Sequence, residues 1–317
     1  MSTLTFTLDG TTAAGDSVRC RGQDAEGRVA VIQATCADGA DPMLGFLTNE
    51  LIRRSLTLKR TPETLEFEYG SVTDADIPVL YCYPKGVVNA PLVIFNHGTS
   101  GCGHEQLFMG IPLAQAGFFT VLLDARNHGR RKAANWAELY APAQYKRTYV
   151  QALIDTCDDI SRLIDHLEHD PRVDATRIGI TGISQGGYMS FMAITRDKRI
   201  SVAAPMIGSP DLEATFGSSL PFDQYPAEVQ QFAIAHSPLR HFARMPPTAL
   251  LIQNGADDTI VPVEGVRKLD ALLRPLYRDH PERYEYGEYA GVGHNDAGMR
   301  ATTIAWLERH LSPRKPR

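Results

Sequence analysis

The sequence predicts an α/β fold: a mostly parallel central sheet with helices on both faces, an antiparallel N-terminal hairpin and an inserted cap. Three observations carry this reading. Continuous apolar runs of strand length recur along the chain, bounded by turn residues, as suits parallel strands covered on both faces. Segments with apolar residues at i, i+3 and i+4 lie between them, so that strand and helix alternate. Ahead of them lie two stretches in which apolar and polar residues alternate, the pattern of an antiparallel pair.

Residues 1–60 fit neither pattern well. They hold a strand at Arg28 to Thr35 and a helix at about 43–56, and are expected to form an N-terminal extension packed on a core domain of residues 61–317. Leu65, Phe67 and Tyr69, then Ile77, Val79, Tyr81 and Tyr83, alternate around the turn Thr73-Asp74-Ala75-Asp76, which predicts a hairpin of two half-exposed strands. The parallel strands are Pro91 to Phe95, Phe118 to Leu123, Ile178 to Thr181, Val202 to Ile207 and Thr248 to Gln253, with a last one near 283–289. The clearest helix spans about 145–169, its buried stripe running through Val150, Leu153, Ile154, Cys157, Ile160, Ile164 and Leu167. A final helix near 298–311 should bury Ile304, Leu307 and Leu311. Two segments break the rhythm: a loop-like 130–147 and a long insertion at 209–246, read as a cap.

Composition narrows the function. The 317 residues carry 43% hydrophobic and 22% charged side chains, an ordinary globular balance. Net charge is −5, with no basic block beyond the tail Pro313 to Arg317, so no nucleic-acid surface is expected. No run reaches the roughly 18 apolar residues of a membrane span, and Met1 to Phe6 lacks a basic region and a long apolar run. The five scattered cysteines (Cys20, Cys36, Cys82, Cys102, Cys157) form no C-x-x-C pair, and no H-E-x-x-H occurs. Neither a disulfide framework nor a metal site is expected, and the setting reads as a reduced, cytoplasmic one.

The chemistry centres on Gly182-Ile183-Ser184-Gln185-Gly186. This G-x-S-x-G follows the short apolar strand and opens a helix-like segment from Tyr188 to Thr195. A serine on so sharp a strand-to-helix turn holds a strained backbone, and side chains two residues either side would collide. Serine also needs a base to take its proton and an acid to orient that base. Asp258 follows the Ala249 to Gln253 run, and His294 follows the last strand, giving the chain order Ser184, Asp258, His294. The adjacent Asp257 is expected to face solvent. Two backbone amides, those of Thr99 and Gln185, are the expected oxyanion donors, Thr99 lying just after the strand that ends in Asn96-His97-Gly98. His97 reads as a brace rather than the base, and the turn Asp124 to Gly129 as a charged turn satisfying its own backbone.

With these residues in view, the chain resembles the α/β-hydrolase superfamily, nearest its dienelactone hydrolase-like and prolyl oligopeptidase-like esterase branch. The likeness covers about 63–311 and rests on Asn96 to Thr99, Asp124 to Arg130, Val173 to Gly179, Gly182 to Met189 and Gly255 to Pro262. It implies the α/β-hydrolase fold, a Ser184 nucleophile, an Asp258 acid, a His294 base and no cofactor. Two departures stand out: dienelactone hydrolases proper carry cysteine where this chain has Ser184, and prolyl oligopeptidases proper add a propeller too large for residues 1–60.

A dinucleotide-binding enzyme is a poor fit, since no G-x-G-x-x-G occurs, and a P-loop is absent. A non-catalytic binding protein on the same fold would be expected to lack a triad residue, and all three are present. Cleavage of a small carboxylic ester is the expected activity. Peptide or amide, thioester and C–C bond hydrolysis remain alternatives that use the same constellation. Trp136, Tyr140, Phe216, Phe222, Tyr225 and Phe232 are the expected substrate contacts, read from their aromatic character in the two irregular segments.

Overall fold

A computed structural model describes residues 5–10, 17–23, 29–36, 65–72, 76–99, 101–141, 145–217 and 220–312. The predicted helix at about 43–56 lies outside these residues. Strands β1 (Thr5–Gly10), β2 (Ser17–Gln23), β3 (Val29–Cys36), β4 (Leu65–Val72) and β5 (Ile77–Pro84) come first. They are followed by β6 (Ala90–Asn96), β7 (Phe119–Leu123), β8 (Val173–Ile183), β9 (Ile200–Met206), β10 (Ala249–Gly255) and β11 (Tyr284–Tyr289). Among the described residues these form one sheet in the order β1-β2-β3-β4-β5-β7-β6-β8-β9-β10-β11. The run from β7 to β11 is parallel, whereas β5 pairs antiparallel with both β4 and β7.

The helices are α1 (Leu107–Gln115), a single turn α2 (Trp136–Leu139), α3 (Tyr145–Leu167), α4 (Gln185–Arg196), α5 (Leu212–Gly217), α6 (Ala227–His236), α7 (Glu264–Leu273) and α8 (Arg300–Leu311). One face of the sheet packs on α3, α4, α7 and the insertion, the other on α1 and α8. This two-sided cover is what the unbroken apolar runs require. The predicted stripe of α3 is buried along its whole length. On α8 the stripe is Thr303, Trp306, Leu307 and Leu311, with Ile304 at its margin.

Three expectations change. β5 is not half-exposed: Val79, Tyr81 and Tyr83 enter one core and Leu80 and Cys82 the other. Its intervening residues are apolar too, so a strand flanked by β4 and β7 can be covered on both faces. Residues 130–147 are not a plain loop, since α2 and the start of α3 lie within them. The N-terminal residues add strands: β1, β2 and β3 form an antiparallel meander, and β3 runs parallel to β4.

The turn after β7 satisfies part of its own backbone, as expected, with the Arg130 amide donated to Asp124 Oδ2 at 2.9 Å, and it is also held from outside itself. Asp159, in the middle of α3 and fully buried, takes Arg126 Nε and Nη2 at 2.6 and 2.7 Å and Arg131 Nη1 at 2.6 Å. Arg162 adds a contact at 3.1 Å. A buried carboxylate is tolerated only when so paired, and removing it strands the buried Arg131 guanidinium. Asp159→Ala should therefore lose about 3–5 kcal/mol. Urea unfolding measures it, and a loss under about 1 kcal/mol would mean the arginines find solvent instead.

Candidate active site

β8 ends at Ile183, and Ser184 caps α4 with φ 56° and ψ −112°, a left-handed conformation rare outside glycine. Close packing forces the chain through it. A Cβ on Gly182 would lie 2.6 Å from the Gly186 carbonyl, and one on Gly186 only 2.1 Å from the Asn96 oxygen. The Ser184 N–H is meanwhile donated to the Met206 carbonyl at 3.0 Å. The start of α4 thus wedges between the ends of β6 and β9, and the serine side chain stands clear of both.

Asp258 sits just past β10, its carboxylate fully buried. Oδ1 accepts the amides of Ile260 and Val261, each at 2.9 Å, and Oδ2 lies 2.7 Å from His294 Nδ1. Asp257 is exposed. The loops carrying Asp258 and His294 are stitched together, with Asp257 N–H donated to the Val292 carbonyl at 3.0 Å. A Cβ on Gly255 would stand 2.2 Å from that same oxygen. Across the ring, His294 Nε2 lies 3.0 Å from Ser184 Oγ. An ionised carboxylate only accepts hydrogen bonds, so Nδ1 carries the proton and Nε2 offers its lone pair to the serine hydroxyl. This arrangement can deprotonate Ser184 at the moment it attacks a carbonyl.

Gln185 is the first residue of α4, where helix amides have no partner within the helix. Gly98 comes close to the serine, since a Cβ on it would lie 3.8 Å from Ser184 Cβ. The side chain of Thr99, the next residue, acts on the phenol of the buried Tyr149 and lowers its pKa against the rise that burial imposes. Both expected oxyanion donors therefore belong to segments that border Ser184. His97 stays apart from the serine, its ring nitrogens engaging the Gly98 carbonyl and the Ala125 amide. Among the described residues no group of three His, Cys, Asp or Glu side chains is placed to hold a metal ion.

The model of the prolyl oligopeptidase family matches residues 112–312. The chain belongs to that family. It is similar to "Putative esterase YitV" of Bacillus subtilis (strain 168), at 28% identity over 70% of this chain and 89% of the relative. Esterase YjfP of Escherichia coli (strain K12) is 26% identical over 65% of this chain and 84% of its own. Among solved structures, TT1662 from Thermus thermophilus superposes with a TM-score of 0.64 at 22% identity, covering 78% of this chain and 99% of that one. The protein is a serine hydrolase with the α/β-hydrolase fold. No helix among its described residues is long and apolar enough to cross a membrane.

In this member of the prolyl oligopeptidase family a cavity of about 1050 Å³ opens between the start of α3 and the insertion. Tyr140, Tyr145, Lys146, Gln151, Phe216 and Tyr225 line it. Burial holds the Lys146 ammonium below its usual pKa. Tyr149 links this wall to the serine: it stacks on Tyr145 at 5.9 Å and meets Tyr188 edge-on at 6.1 Å. Tyr188 in turn donates its backbone N–H to the Ser184 carbonyl at 3.1 Å, and its phenol receives the Thr215 hydroxyl of the insertion. Burial pushes that phenol up to about 12.

Of the six expected substrate contacts, Tyr140, Phe216 and Tyr225 face this cavity, Phe216 as a fully buried wall. Trp136 lies behind, stacked on Tyr140 at 4.7 Å. Phe222 borders a separate groove with Leu239, Phe242 and Leu272, and Phe232 lies under the Arg147 guanidinium. The sequence reading missed Tyr145 and Tyr149, whose i, i+4 spacing on α3 was the available signal. The packing at the turn is the firmest feature of the site. Gly186→Ala should leave Ser184 unreactive toward a fluorophosphonate, read by mass spectrometry of the labelled peptide. Labelling at the wild-type rate would mean the turn forms without that contact.

Proposed function

We propose that the protein hydrolyses small carboxylic esters through an acyl-enzyme on Ser184. The observation that carries this reading is the unbroken line of hydrogen bonds from Ser184 Oγ through His294 to the buried Asp258. Ser184 Oγ attacks the ester carbonyl while His294 Nε2 takes its proton. The tetrahedral oxyanion is held by the amides of Thr99 and Gln185, each such donor typically worth ~3–4 kcal/mol in the transition state. Collapse expels the alcohol, which leaves with the proton from His294. Water, deprotonated by the same ring, then releases the acid and restores the serine. Asp258 keeps the ring in the Nδ1-protonated tautomer throughout and stabilises the imidazolium when it forms.

Two relatives named as esterases support an ester substrate, and the family name supports a peptide. We favour the ester because the likeness spans 89% and 84% of those two relatives. Turnover of p-nitrophenyl esters against aminoacyl p-nitroanilides decides it: a higher kcat/KM on the anilides would make the protein a peptidase. Absence of fluorophosphonate labelling at Ser184 would make it a binding protein instead.

Since the three residues act as one unit, Ser184→Ala and His294→Ala should each lower kcat by roughly 10⁴-fold or more. Asp258→Asn leaves the imidazole in the wrong tautomer and should cost about 10⁴-fold, whereas the exposed Asp257→Asn should stay within about threefold. The reverse order of the two asparagine variants would reassign the acid. Tyr225→Ala enlarges the cavity and should shift the preferred acyl or alkyl chain to longer members, with roughly 10–200-fold discrimination per methylene as the ceiling. An unchanged chain-length profile would place the specificity pocket elsewhere.

A further inference from the structure

Two buried polar side chains that the proposed chemistry leaves unused tie the loop after β6 to the loop after β7. Asp124, 3% exposed, is the first residue beyond β7. Its Oδ1 accepts the Gly103 amide at 2.6 Å and its Oδ2 the Arg130 amide at 2.9 Å. Gly129 gives it room, for a Cβ there would sit 2.3 Å from the carboxylate carbon. The second tie is His97, fully buried. Its Nε2 accepts the Ala125 amide at 3.0 Å, and its Nδ1 lies 2.7 Å from the Gly98 carbonyl. A ring nitrogen that accepts an N–H is unprotonated, so His97 is neutral and carries its proton on Nδ1, which it donates to Gly98. The nearby His128 ring, 5.3 Å away, is pushed below its usual pKa by burial, so it brings no competing charge.

The two ties bracket the 97–103 loop, and the Asp159 cluster holds the far side of the 124–131 turn against α3. Thr99 lies between them, one residue after the glycine that borders Ser184. An oxyanion donor acts only if its position is fixed before charge develops, since moving it during the reaction would spend the stabilisation it offers. We propose that His97 and Asp124 are positioning residues: together they clamp the loop so that the Thr99 amide stays aimed above Ser184, and neither exchanges a proton with substrate. The clamp rests on the hydrolase reading above for its kinetic readout, and on the ring nitrogens of His97 for an independent one.

The experiment compares wild type with Asp124→Asn, His97→Ala and His97→Gln. It measures kcat and KM on a short p-nitrophenyl ester and the affinity for a boronic acid that forms a tetrahedral adduct on Ser184. Asp124→Asn and His97→Ala should lower kcat and boronate affinity together, by about 10–100-fold, with KM within about twofold. His97→Gln, which keeps an acceptor for Ala125, should recover part of the loss. If folded Asp124→Asn and His97→Ala keep kcat and boronate affinity within twofold of wild type, the clamp is wrong. A shift of the pH limb of kcat/KM in His97→Gln, without loss of boronate affinity, would overturn it in favour of a proton-transfer role. In wild-type protein with ¹⁵N-labelled histidine, His97 Nε2 should resonate as an unprotonated, pyridine-type nitrogen at about pH 7, and a protonated Nε2 would also overturn the proposal. Were wild type to bind the boronate yet hydrolyse no ester, the ester reading would fail while boronate affinities still decided the clamp.

Discussion

The backbone of Ser184 is the constraint around which the other parts are arranged. A non-glycine residue at positive φ costs on the order of 1–3 kcal/mol, and it persists only where its surroundings leave no alternative. Here the surroundings are main chain. Gly182, Gly186, Gly187 and Gly208 bring α4 against the ends of β6 and β9 at distances that no side chain would permit. The strain does two things at once. It projects the hydroxyl away from the sheet, and it brings the first amides of α4 beside that hydroxyl. In the mechanism proposed above, the nucleophile and one of the two oxyanion donors are thereby set by a single turn.

Around that turn, three buried carboxylates are satisfied in different ways. Asp258 takes two backbone amides and one imidazole, so its charge stays directed at His294. Asp124 takes two backbone amides from separate segments and joins them. Asp159 takes guanidinium groups only, anchoring a turn to a helix. Each is fully hydrogen-bonded, which is the condition for ionised groups to lie inside a protein without destabilising it. The site thus stands on a polar frame, while the two apolar cores above and below the sheet hold the frame in place.

How much of this was legible beforehand depended on how local the cause was. The elbow could be read because its steric demand lies within five residues, Gly182 to Gly186. Ser184, Asp258 and His294, chosen for their places after strands, are the side chains the fold brings within hydrogen-bonding range. Their order along a parallel sheet fixes the end at which they meet. The Asp159 cluster was not legible, because Arg126 and Arg131 become its neighbours only once α3 lies across the β7 turn, and Arg162, three residues on along α3, is the one local partner. The aromatic residues of the insertion were equally opaque: Phe222 and Tyr225 are three residues apart, yet one borders the groove beside α7 and the other the cavity. Composition identified aromatic surface, and tertiary packing alone chose which ring faces which space. The covering of β5 on both faces was missed for a simpler reason, since its alternate residues are apolar as well.

The rings that wall the cavity also make it optically addressable. The chain has two tryptophans. Trp306 is buried in α8 against His310, on the opposite side of the sheet from the cavity. Trp136 is half-exposed, stacked on Tyr140 and under the Lys132 ammonium. An indole so placed changes its emission when the stack or the nearby cation moves, whereas its buried counterpart supplies a constant background. Replacing Trp306 with phenylalanine would leave a single tryptophan, coupled to the cavity wall and excitable apart from the tyrosines. Occupancy could then be followed in real time with unlabelled ligands, without waiting for any bond to break.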